Sequence, residues 1–129
     1  MQWLPYVLAA VVIAFAALQL RILSASKRAQ GRAAPDLGDV LTPEQRRATK
    51  LLLYFFSKNC GPCRVMGPYV DQLAQRYDNV VKIDVMQAPD LVRRFGVMAT
   101  PTTVLVDNGI VAKVVLGAKT LAQLEALLQ

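Results

Sequence analysis

The strongest constraint on the fold lies in mid-chain. Leu51–Phe56 is an unbroken apolar run, and Asn59-Cys60-Gly61-Pro62-Cys63 follows almost at once. A short apolar run without alternation reads as a strand buried on both faces. After the cysteines the pattern changes: Val65, Met66, Tyr69, Val70, Leu73 and Tyr77 recur at helical spacing. A buried strand feeding an amphipathic helix is an α/β unit, and the two cysteines stand at its hinge.

The rest of the chain extends that unit. Thr42-Pro43-Glu44-Gln45 has a hydroxyl N-cap, a proline at the first helical position and a glutamine to close a capping box. Val80–Val85 predicts a second strand, and Pro89–Phe95 a short helix stopped by Gly96. Thr102–Val106 and Ile110–Leu116 flank Asp107-Asn108-Gly109, whose Asn-Gly pair suits a tight hairpin turn. Gly117 breaks the last strand, and Thr120–Leu128 predicts a final helix. The order is βαβαββα, with the first two strands parallel and the last two antiparallel.

Ahead of this lies a segment of another kind. Nineteen of the first 23 residues are hydrophobic. The remaining 106 (129 − 23) are about 48% hydrophobic, ordinary for a globular domain. Leu4–Leu23 carries one charge, Arg21, and is long enough for a bilayer-spanning helix. Residues 1–23 therefore predict a transmembrane anchor. Trp3 and Tyr6 suit one boundary and Arg21 the other. A cleaved signal peptide is the competing reading, since Ser24-Ala25-Ser26 has the small residues of a cleavage site. Against it stand the length of the run and the lack of Lys or Arg before it. Residues 24–40, rich in Ala, Ser, Gly and Arg, read as a basic flexible linker, and 41–129 as the folded domain.

Charge follows the same division. The net charge is +6, of which Arg21, Lys27, Arg28 and Arg32 supply four beside the anchor. From Asp36 onward, 11 basic and nine acidic residues leave only +2. A near-neutral domain gives no reason to expect a nucleic-acid partner. The basic flank predicts a single-pass inner- or plasma-membrane protein whose domain faces the cytoplasm. The periplasmic or extracellular side is the alternative.

Two cysteines and no histidine limit the chemistry. Cys60 and Cys63 alone cannot close a four-ligand zinc site, so no metal is expected. Histidine-based nucleophilic catalysis is excluded. Cys60 would lie at the helix N-terminus, where free N–H groups and the dipole favour a thiolate. Cys63, one turn further in, is shielded and acts second. Pro62 has no N–H to offer, which points to a reducing pair. An inert bridge, or half of a metal site shared between two chains, is the alternative.

Cys60-Gly61-Pro62-Cys63, Ala99-Thr100-Pro101-Thr102 after Phe95-Gly96-Val97, Asp107-Asn108-Gly109 and Gly117-Ala118 together resemble the thioredoxin family. The resemblance runs over residues 51–129. It implies a thioredoxin-like α/β fold, a central mixed sheet of about four strands flanked by helices. It also implies a cis Pro101 facing the cysteines, and a flat substrate rim of Gly61, Pro62, Thr100, Pro101, Gly117 and Ala118. Cys60 is then the nucleophile and Cys63 the resolving thiol. The Cys60–Cys63 disulfide replaces any bound cofactor. Disulfide-bearing proteins and an electron-donating reductase are the partners implied.

Two positions depart from the family pattern, and a third matches it without its partner. Tyr54 stands where the family has a buried Asp, and Asn59 where it has a Trp. Lys82 matches the lysine beside that Asp, without its acid. A lysine buried without a partner is a candidate base; contact with Tyr54 or snorkelling are the other options. The expected activity is membrane-tethered reduction of protein disulfides. The alternatives are an extracytoplasmic role in cytochrome c maturation or disulfide isomerisation, and a non-catalytic docking module on the same fold.

Overall fold

A computed structural model describes the backbone of residues 1–129 and all side chains except those of Ala25, Ser26, Ala29 and Asp39. Alternation along the central strand β1 (Lys50–Phe56) sets the layers. Leu51, Leu53 and Phe55 point to one side and join one apolar cluster. Leu52 and Tyr54 point to the other and join a second. This is the period-two geometry of a strand with both faces covered.

The sheet has the order β2-β1-β3-β4. β2 (Val80–Asp84) pairs parallel with β1, and β3 (Thr102–Asp107) pairs antiparallel with it. β4 (Ile110–Leu116) forms the antiparallel hairpin with β3. Asn108 and Gly109 take φ of 52° and 75°, the left-handed values the Asn-Gly turn requires. The long helix α3 (Gly61–Arg76) and the last helix α5 (Leu121–Leu128) cover one face. The short helix α4 (Pro89–Phe95) covers the other through Leu91 and Phe95. The four-stranded mixed sheet agrees with the sequence reading. α3 buries Cys63, Met66, Val70 and Leu73. Val65, expected on that face, is 64% exposed.

Capping fixes where the helices begin. Thr42 and Gln45 form a reciprocal capping box at α2 (Pro43–Arg47), as Thr120 and Gln123 do at α5. The Gln45 amide also donates to the Asp78 carbonyl at 3.0 Å, tying α2 to the turn before β2.

The N-terminal third differs from expectation at one boundary. The first helix, α1, runs Leu4–Ala29, past the limit at residue 23. Its stretch Leu4–Ser24 is long and apolar enough to cross a membrane and has no buried residue. The cleavage reading at Ser24-Ala25-Ser26 falls partly on the side chains that are not described. Residues 30–34, expected as part of a flexible linker over 24–40, form a strap along the outer edge of β4. Gly31 N–H donates to Val111 O at 2.7 Å, Val111 N–H to Arg32 O at 2.9 Å, and Ala34 N–H to Gly109 O at 2.7 Å. The cause is the edge itself, whose backbone groups need partners. Leu37 then drops into the core at 7% exposure, with Ala34 and Leu41 packed beside it.

If the strap is part of the folded unit, Leu37→Ala lowers unfolding free energy by about 2–5 kcal/mol, the cost of truncating a buried leucine. Denaturant titration of the full chain reads this; an unchanged midpoint would mean that the segment is a free tether.

Candidate redox site

The exit of β1 delivers the cysteines. Cys60 N–H donates to Ser57 O at 3.2 Å, turning the chain from strand to helix. Cys60 is the N-cap of α3, and its Sγ accepts the Cys63 N–H at 3.3 Å. The sulfurs are bonded, with Cα atoms 5.2 Å apart. Cys60 is half-buried and Cys63 buried. A thiolate at Cys60 would meet a donor N–H and the positive end of a sixteen-residue helix. The pair is therefore asymmetric: one sulfur is reachable, and the other is covered one turn inside.

A second loop meets this one at the same end of the sheet. Thr100–Pro101 is cis. Pro101 O accepts Gly117 N–H at 2.9 Å, and the Thr102 hydroxyl donates to Ala99 O at 2.6 Å. Ser57, Met98, Ala99 and Thr100 line one shallow hollow, which joins this loop to the strand exit before Cys60. Of the expected rim, Gly61, Pro62 and Ala118 are exposed, and Thr100 and Gly117 half-buried. Pro101 is buried, so its ring lies beneath the rim rather than on it.

The departures resolve around Tyr54. Tyr54 is 1% exposed, and its hydroxyl donates to the Cys63 carbonyl at 3.2 Å. Its ring stacks on Phe56, centroids 5.5 Å apart. Burial, and then the nearby Asp71 carboxylate, push the phenol above its ordinary value of 10.0. At neutral pH the position thus holds an uncharged donor, not a carboxylate. Thr103, opposite Tyr54 in the β1–β3 register, keeps a buried hydroxyl without a partner, alone among the described residues.

Lys82 is not the buried, unpartnered lysine that the sequence pointed to. Its register position opposite Tyr54 is as expected. Its side chain, however, turns outward over Phe56, and Nζ pairs with Asp71 Oδ1 at 2.7 Å, with 38% of the side chain exposed. A compensated, solvated ammonium has no cause to act as a base here. Asp71 went unnoticed in the sequence. Its pairing depends on how α3 lies across β2, which spacing along one chain does not reveal. Tyr54 carried a usable signal, because a phenol in an otherwise hydrocarbon strand needs a hydrogen-bond partner.

Residues 43–129 match the family model described as Thioredoxin. Thioredoxin H2 of Arabidopsis thaliana is 40% identical over 79 residues, 59% of this chain and 59% of that protein. Mitochondrial thioredoxin-3 of Saccharomyces cerevisiae is 39% identical over 75 residues, 57% of this chain and 59% of that protein. The chain thus spans 59% of the length of each of these two relatives. The crystal structure of oxidised mitochondrial thioredoxin 3 from the same yeast superposes with a TM-score of 0.56 at 34% identity. That match covers 65% of this chain and 81% of the yeast chain.

Tyr54 gives a pH signature. The folded chain holds the phenolic proton more tightly than the unfolded chain, so stability falls as pH rises above 10.0. Tyr54→Phe flattens that alkaline fall and, near pH 7, costs about 1 kcal/mol for the lost hydrogen bond. Unfolding titrations at pH 7 and pH 10–11 compare the two proteins; parallel alkaline losses would contradict the assignment.

Proposed function

The chain belongs to the thioredoxin family, and on that premise we propose that it is a membrane-tethered thiol–disulfide oxidoreductase that reduces disulfides in protein substrates. The observation that carries this reading is the Cys60–Cys63 pair at the start of α3, with Cys60 accessible and Cys63 covered.

The exchange needs only the two sulfurs and a dithiol donor. The Cys60 thiolate attacks a substrate disulfide, one S–S bond forming as another breaks, and the leaving sulfur takes up a proton. Cys63, once deprotonated, attacks Cys60 Sγ and releases the second substrate thiol. The substrate gains two electrons and two protons, and the Cys60–Cys63 disulfide forms. An electron-donating reductase returns the pair to the dithiol. Gly61, Pro62, Thr100, Gly117 and Ala118 form the rim that receives the substrate, with Pro101 supporting it from below. Tyr54 holds the Cys63 carbonyl, which fixes the first turn of α3 while contributing no charge to the deprotonation of Cys63.

Tethering is supported by the apolar stretch Leu4–Ser24. The cations Arg21, Lys27, Arg28 and Arg32 after it support a domain on the cytoplasmic side. A reporter fused after Gln129 that is active only on the outer face would contradict that side.

With a chemical dithiol as electron source, the full chain in detergent accelerates the reduction of insulin. Cys60→Ser abolishes the acceleration. Cys63→Ser leaves a long-lived mixed disulfide visible on non-reducing gels. Turnover that survives Cys60→Ser would overturn the assignment.

A further inference from the structure

The strap and α1 fix the direction in which the span leaves the domain. β1 ends at Phe56, just before the cysteines. β3 is antiparallel to β1 and starts at Thr102; β4 is antiparallel to β3 and ends at Leu116. Cys60, Pro101 and Gly117 therefore share one end of the sheet, and the Asn108-Gly109 turn marks the other.

Followed backwards, the strap climbs from the turn towards the cysteine end. Ala34 bonds Gly109, Ala33 bridges Ile110, Gly31 bonds Val111, and Gln30 Oε1 accepts the N–H of Val114 at 3.0 Å. α1 continues in the same direction. Leu20, Arg21, Ser24 and Arg28 line a hollow together with Met98. Met98 is 56% exposed and stands two residues before Thr100, on the loop beside the redox pair. Beyond Leu20 the helix runs on to Leu4, about 24 Å at the usual helical rise, with its residues exposed throughout.

From this placement we infer that the redox end of the domain faces the bilayer. The Cys60–Cys63 pair then serves a disulfide held near the lipid headgroups, on a membrane-embedded partner. The inference rests on the tethered-oxidoreductase reading and adds the orientation and the class of partner. Ser24, where the apolar stretch ends, lines the same hollow as Met98, which puts the bilayer surface at the substrate loop rather than at the hairpin turn. The local chemistry fits that contact. Met98 is an apolar side chain at the interface, and Arg21 and Arg28, which line the hollow with it, supply cations for anionic headgroups.

The test uses the full chain reconstituted in phosphatidylcholine vesicles that carry headgroup-nitroxide lipid in both leaflets. A fluorophore is placed at Met98→Cys or at Asn108→Cys, each in a Cys60→Ser, Cys63→Ser background. Quenching at position 98 is expected to exceed that at 108 several-fold, and a flexible Gly/Ser insertion after Arg28 is expected to erase the contrast. Equal or reversed quenching, or a contrast that survives the insertion, overturns the inference. Insulin reduction by the unlabelled wild type is measured in parallel. Turnover without contrast sinks the orientation alone; contrast without turnover sinks the oxidoreductase reading alone.

Discussion

Every part of the molecule is placed relative to β1, a strand hydrogen-bonded on both edges and buried on both faces. Its pairing with β2 and β3 fixes the sheet, and its alternating side chains supply both apolar clusters. Such a strand has no freedom to slip, because a one-residue shift would exchange the two faces. What leaves its end is therefore held firmly, and Cys60 leaves its end. The sulfur's position at the head of α3 follows from the strand's burial as much as from the helix.

Much of this was legible in the residues. The hydrocarbon run of β1, the helical spacing of α3, the Asn-Gly turn and the two Thr-to-Gln capping boxes each act over a few neighbouring positions, so the sequence carries them openly. The two cysteines and the Thr100–Pro101 loop were legible through their combination. The strap was not. Residues 24–40 lack apolar periodicity, and the order of residues 30–34 comes from an edge of β4 that lies some eighty positions away in the chain. A segment that is structured by someone else's unpaired backbone groups looks like linker from within. Leu37 and Leu41, two leucines among mostly polar and small residues, were the local trace of it.

Tyr54 and Lys82 show the same divide. Tyr54 departs from the family pattern and Lys82 matches it without its acid, but the partners of neither were readable. Lys82 found Asp71 one helix away, and Tyr54 found a main-chain carbonyl rather than another side chain. The outcome is a site with no buried charge beside Cys63 among the described residues. Where the family pattern has a carboxylate, which can accept a proton at neutral pH, Tyr54 presents a phenol that only donates.

The two sulfurs stand unequally, one open at the helix start and one covered beneath it. Alkylation of the fully reduced chain with a limiting amount of iodoacetamide, followed by peptide mapping, measures this directly. Modification is expected at Cys60, with Cys63 spared until the fold is lost. Equal labelling of both cysteines in the native chain, or preferential labelling of Cys63, would contradict it.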